Sequence, residues 1–85
     1  MNEQQIRCLF DKLNKEFFNN ALPQPNGIEF HYVKSYLGQF QSTGQYGKYG
    51  TCVIRFSTAW EMTDFEVEKV LIHEMIHEWQ WTVGH

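Results

Sequence analysis

The sequence predicts a small α+β domain in which one helix, three strands and a final helix follow each other along the chain. Both ends show apolar residues at helical spacing, whereas the middle shows the alternation that is typical of half-buried strands. The 85 residues suffice for one domain, over residues 1–85, and an apolar content of 42% with 16% aromatic residues gives a dense core for that size. We expect the three strands to form a mostly antiparallel sheet.

The first helix is predicted over residues 2–19. Asn2 is a suitable N-cap, and Asn19 with Asn20, followed by Pro23, ends the helix. The apolar residues have the spacing of an amphipathic helix: Ile6, Leu9, Phe10, Leu13 and Phe17. We expect Phe10, Phe17 and Phe18 to pack in the core.

The middle of the chain is predicted to form the sheet. Alternating residues indicate a half-buried strand at 28–32, and a short strand is predicted at 39–41. The Gly-rich residues 43–50 are interpreted as a hairpin connection. The strongest strand pattern covers residues 51–56, and one face of that strand carries Cys52, Ile54 and Phe56.

The last helix has the clearest boundaries. Thr63 and Glu66 form a capping box, in which each side chain pairs with a backbone N–H that the helix leaves free. The helix is predicted from Asp64 to about Val83, where Gly84 ends it. Its apolar residues surround most of the circumference, so we expect this helix to be buried on nearly all sides.

Composition excludes several classes of protein. The net charge is −3 and the seven basic residues are scattered, which argues against a nucleic-acid-binding surface. Cys8 and Cys52 match no metal or redox spacing, and we expect two free, buried thiols in preference to a disulfide. The sequence shows no signal peptide and no run of apolar residues that would cross a membrane, so a cytoplasmic protein is the expectation.

His73 and His77 in the last helix have the spacing of zinc ligands. Residues four apart lie on one helical face, so both imidazoles can reach one zinc ion. Glu74 is rotated by about 100° and lies beside the metal, where it can act as the general base. Two histidines that are hydrogen-bonded in the core are the alternative, but a Glu between them would then be buried without a partner.

Catalytic zinc usually has three protein ligands, and the sequence leaves the third open. His31 and His85 are the candidates within the chain. With a rise of 1.5 Å per residue, His85 lies too far along a helix that continues to Gly84, roughly 15 Å from the metal. We therefore expect the third ligand beyond residue 85, in a part of the domain that these 85 residues lack.

Two further residues of the last helix receive structural interpretations. Glu78 follows His77 directly, and a surface position is expected for it because an unpaired Glu is rarely buried. Like Trp79, Trp81 is interpreted as a core or docking aromatic residue in preference to a substrate contact.

Several segments together resemble the SprT-like family, which includes Spartan-type proteases. The segments are Leu13-Asn14-x-x-Phe17-Phe18-Asn19-x-x-Leu22-Pro23, a strand and Gly-rich hairpin, Val53 to Ser57, and Val70-Leu71-Ile72-His73-Glu74-Met75-Ile76-His77. The resemblance implies a zincin-like domain whose antiparallel edge strand receives an extended peptide above the metal. It further implies zinc on His73 and His77, Glu74 as the catalytic base, and a third His in a downstream His-Gly motif.

The main functional hypothesis is therefore a zinc-dependent endopeptidase domain that acts on protein or peptide substrates. Some proteins of the family digest proteins crosslinked to DNA, so a nucleic-acid partner follows from the resemblance alone. A non-catalytic metal- or peptide-binding module with an incomplete zinc site is the alternative. A third hypothesis is a domain without metal, in which His73 and His77 are hydrogen-bonded.

Overall fold

The structure is a computed structural model that describes residues 1–84, with the side chains of all of these except residues 48 and 49. Its elements are α1 (Glu3–Phe18), β1 (Gly27–His31), β2 (Gly38–Gln45), β3 (Lys48–Ser57) and α2 (Asp64–Val83). The predicted α+β class and the order of the elements are confirmed. Neither helix in this part of the chain has the length and hydropathy needed to cross a membrane.

Helix α1 begins and ends where the sequence predicts, within one residue. Asn2 accepts a hydrogen bond from the Gln5 N–H at 2.8 Å, and the Gln5 side chain accepts one from the Asn2 N–H at 2.9 Å. Asn19 and Asn20 then take left-handed conformations, with φ of 52° and 60°, which Asn tolerates better than most residues. The core contains Phe10 but not Phe17, which is 60% exposed, so that part of the prediction is wrong.

Asn14 in α1 connects the helix to the following loop. Its amide donates to the Leu22 carbonyl at 2.7 Å and accepts from the Leu22 N–H at 3.1 Å. Both residues are buried, so the side chain satisfies two backbone groups that water cannot reach. The same helix leaves Cys8 exposed, which corrects the expectation of two buried thiols; Cys52 is buried, and both cysteines are free.

The sheet is mixed, not mostly antiparallel, and its strand order is β1-β3-β2. Strand β2 pairs antiparallel with β3, whereas β1 pairs parallel with β3. The reason is the path of the chain: residues 32–37 cross from the end of β1 to the start of β2 and leave a gap one strand wide. After the tight turn at Tyr46 and Gly47, β3 returns into that gap and lies parallel to β1.

One face of the sheet forms the core with both helices. The strand prediction for Cys52, Ile54 and Phe56 is confirmed, since all three side chains are buried on that face. Residues from α1, the loop after it, β1 and α2 complete the cluster: Ile6, Phe10, Leu13, Leu22, Ile28, Val67, Leu71 and Met75. The fold therefore has two layers, with the helices on one side of the sheet.

Helix α2 confirms its predicted ends but not its predicted burial. Thr63 and Glu66 form the capping box, and Gly84 ends the helix with φ of 86°. Phe65, Ile76 and Trp79 are substantially exposed, with 62%, 45% and 40% of their surface accessible. Only one side of α2 packs on the sheet and α1, and residues 1–84 provide no second layer for the other side.

Candidate metal centre

The candidate metal centre lies in the middle of α2. His73 and His77 place their ring centroids 5.1 Å apart, nearly perpendicular to each other, and both side chains are exposed. Ligand atoms of His73, Glu74 and His77 all lie within 4.8 Å of one another. The structure thus brings together the three residues that the sequence indicates.

Packing of the helix determines which way these residues face. Leu71 and Met75 are fully buried against the sheet and fix the rotation of α2 about its axis. At about 100° per residue, His73 and His77 then lie on the open side, and Glu74 lies at the boundary between this side and the core. This boundary position explains why Glu74 is only 4% exposed while both histidines are accessible.

Glu74 lies beside the neighbouring strand β2. Its carboxylate is close enough to the backbone N–H of Phe40 for this group to favour the charged form. Burial raises the pKa of Glu74 above its usual value, while His73, His77 and the Phe40 N–H act in the opposite direction. The net direction is the one that a general base requires, because a carboxylate with a raised pKa accepts a proton more readily.

Gly38 allows the close approach of β2 to α2. A Cβ atom at this position would lie 2.3 Å from Val70 Cγ1 and 3.3 Å from Glu74 Oε2. A contact of 2.3 Å is too short for two carbon atoms, so any side chain here would push the strand away from the helix. The Phe40 N–H would then move away from Glu74.

An open cleft of about 520 Å³ lies between the edge strand β2 and α2. The imidazoles and the Glu74 carboxyl group form part of its lining. The other lining residues come from β2, from the segment before it and from the end of α2: Tyr36, Gly38, Gln39, Phe40, Ser42, Gln80 and Trp81.

Trp81 attaches the β2–β3 hairpin to the end of α2. Its indole N–H donates to the Gly44 carbonyl at 3.1 Å, and its ring lies 5.3 Å from Tyr46 and 6.1 Å from Phe40. The interpretation as a docking residue fits these contacts, but Trp81 also lines the cleft. Its position four residues after His77 was the signal for this second role, because such residues share a helical face.

The prediction that Glu78 lies on the surface is wrong. Glu78 is completely buried, and among the described residues neither carboxylate oxygen has a hydrogen-bond partner. Its spacing from Leu71 and Met75 places it in the same buried row of the helix, a signal that the sequence contained. Burial raises the pKa of Glu78 to about 8, and burial together with the charge of Glu78 raises the pKa of the Cys52 thiol to about 11.

The two candidates for the third ligand have different outcomes. His31 lies on β1, at the opposite edge of the sheet from β2, and its ring pairs with Glu29 at 2.9 Å. It is therefore not part of the metal centre. His85 lies outside the described residues, and within residues 1–84 no further His, Cys, Asp or Glu joins the group of three.

Comparison with known proteins supports the resemblance that the motifs suggested. No curated protein and no solved structure matches the chain. A family model described as the SprT-like family matches residues 6–85, which is nearly the whole chain. The chain therefore belongs to the SprT-like family.

Proposed function

We propose that this domain is a zinc-dependent endopeptidase. The observation that carries the proposal is the arrangement of two accessible imidazoles beside a buried carboxyl group in a cleft that a sheet edge borders. The family supports a metallopeptidase-like domain in general terms. Zinc, the peptidase reaction and the role of each residue are our proposal.

The residues fit a zinc ion. Zinc is commonly bound by imidazole nitrogens, and His73 and His77 present two rings from one helical face toward open solvent. Exposed rings argue against the hypothesis of two histidines that are hydrogen-bonded in the core. Catalytic zinc usually has three protein ligands, and we propose that the third comes from residues C-terminal to α2.

When bound, zinc lowers the pKa of a water molecule to about 7 and polarises the scissile carbonyl group. Glu74 would accept the proton of the attacking water and return it to the leaving amine. The carboxyl group lies beside Gly38 and Phe40 of β2, so the base would be close to a peptide bound along this strand.

The free edge of β2 would bind the substrate backbone. The Ser57 N–H donates to the Leu37 carbonyl at 2.9 Å, which shows that Leu37 and every second residue after it point their backbone groups toward β3. Gly38, Phe40 and Ser42 therefore direct their backbone groups to the open edge. Glu74 lies near the Phe40 N–H, and the backbone groups at this edge would pair with an extended peptide.

The metal half of the proposal is tested by calorimetric titration with Zn²⁺. We expect one zinc ion per chain, loss of this binding in both His73→Ala and His77→Ala, and unchanged stoichiometry in Glu74→Gln. His31→Ala is the matched control, because His31 is also exposed but lies on β1. Equal zinc binding by the wild type and both histidine variants would contradict the assignment.

The catalytic half is tested by zinc-dependent hydrolysis of a denatured protein, with a chain that extends past residue 85 and so includes the proposed third zinc ligand. Glu74→Gln should reduce the rate by at least the hundredfold that general base catalysis typically contributes. Zinc binding without any difference in hydrolysis between the wild type and Glu74→Gln would favour the non-catalytic module. This second candidate is retained because the described residues provide only two imidazole ligands for a metal.

A further inference from the structure

A second recess adjoins the metal centre on the side where β2 begins. It measures about 320 Å³ and is separate from the region near Trp81. Two aliphatic side chains and the stem of a lysine give it mostly apolar walls, and it opens directly beside the metal ligands. Its lining residues are Leu37, Gly38, Lys69, Val70, His73 and Glu74.

The direction of β2 determines which end of a bound peptide would lie at this recess. Gly38 at the start of β2 lies beside Val70, whereas Gly44 near its end accepts a hydrogen bond from Trp81. Strand β2 and helix α2 thus run in the same direction past the metal centre. A peptide that pairs antiparallel with β2 enters with its N-terminal part near Trp81 and places the residue that follows the scissile bond at the recess.

The two ends of the cleft differ in charge. Lys69 is the one Lys or Arg residue among the described residues that line the cleft and the recess. It lies at the recess. The Lys69 ammonium group lies 4.6 Å from the centre of the exposed Phe65 ring, and its charge also acts on Glu66 without forming an ion pair at contact distance. An incoming anionic group would therefore not have to displace an ion pair of Lys69 with the described residues.

We infer that the recess formed by Leu37, Val70 and Lys69 binds the side chain after the scissile bond and prefers glutamate to lysine there. The methylene groups of glutamate would pack on the two aliphatic side chains, and its carboxylate would approach the ammonium group at the rim. This inference rests on the proposed function, because the recess selects a substrate only if a peptide lies along β2.

The test is nuclear magnetic resonance titration of the ¹⁵N-labelled chain with two peptides, acetyl-Ala-Gly-Glu-Ala-amide and acetyl-Ala-Gly-Lys-Ala-amide. A chelator is present, so the readout does not depend on zinc or on hydrolysis. We expect the glutamate peptide to shift the amide signals of Leu37, Gly38 and Val70 and to bind roughly twofold to fivefold more tightly, as exposed ion pairs allow. Lys69→Glu should reverse this order, whereas Lys12→Glu, with the same change of charge on α1, should leave it unchanged.

Three results would overturn the inference. They are equal affinity for the two peptides, an unchanged order in Lys69→Glu, and no shift at these amides with either peptide. Circular dichroism of Lys69→Glu establishes that the variant is folded. The proposed function is tested separately, by replacing the chelator with Zn²⁺. Unchanged signals of His73 and His77 would then contradict the proposed function and not the inference about the recess.

Discussion

Replacing Gly38 by alanine should destabilise the domain, although the intrinsic preference of the strand favours alanine. A glycine in a strand costs roughly 0.5–1 kcal/mol relative to alanine because it loses more backbone entropy on folding. The substitution by alanine would therefore gain this free energy, but the new Cβ would overlap with Val70, whose Cγ1 atom would lie 2.3 Å away. Val70 is β-branched and helical, so it has one strongly preferred rotamer and cannot turn aside without cost.

The overlap should outweigh the gain in backbone entropy. Overpacking of this kind typically costs 1–3 kcal/mol, so we expect Gly38→Ala to lower the free energy of unfolding by about 0.5–2 kcal/mol. In a Val70→Ala background the clashing methyl group is absent, and the contacts that remain, to the Arg55 carbonyl and Glu74 Oε2, are 3.3 Å long. The same glycine substitution should then be neutral to within about 0.5 kcal/mol.

Urea denaturation of the wild type, both single variants and the double variant measures this coupling directly. A coupling energy of about 1–2 kcal/mol between the two positions is expected, since residues in contact do not behave additively. Additivity within about 0.5 kcal/mol would refute the steric argument. The amide signal of Phe40 offers a second readout, because displacement of β2 would move this N–H away from the Glu74 carboxylate.

Three further predictions concern polar side-chain groups. Burial raises the pKa of Glu78 from 4.5 to about 8, so the folded state holds a proton that the unfolded state releases, and stability should fall as pH rises through this window. Glu78 should contribute up to about 1.4 kcal/mol per pH unit to this slope, so the profile of Glu78→Gln should be shallower by that amount; urea denaturation across pH measures it, and parallel profiles would contradict it. Trp81→Phe removes the indole donor to Gly44 and should cost about 1 kcal/mol in thermal unfolding, while Trp79→Phe on the exposed side should cost less. Asn14→Ala leaves two buried backbone groups unpaired and should cost about 3 kcal/mol in urea denaturation; a cost below about 1 kcal/mol would show that water replaces the amide.

Local patterns predicted the elements of this fold well. The capping residues Asn2 and Thr63 act on backbone groups three residues away, and such short-range hydrogen bonds are readable directly from sequence. The alternation in β3 and the spacing of His73 and His77 are local in the same sense. These features depend on the period of the helix or strand and on no other part of the chain.

The errors concern contacts between distant segments. The parallel pairing of β1 with β3 arises because β3 inserts between β1 and β2. The alternation of apolar residues within a strand does not indicate the position of that strand in the sheet. The burial of Glu78 and the exposure of Ile76 depend on which side of α2 meets the sheet. An apolar helix surface predicts that part of the helix is buried, but the packing of the helix against the sheet determines which residues are buried.

The sequence by itself determined the two capped helices, the central strand and the His73-Glu74-x-x-His77 group, because each is encoded within one or two helical turns or a single strand. Only the tertiary structure decided that the free edge of β2 lies beside this group and that the Phe40 N–H lies near the Glu74 carboxylate. That arrangement depends on Gly38, whose missing side chain lets a strand and a helix from distant parts of the chain approach within contact distance.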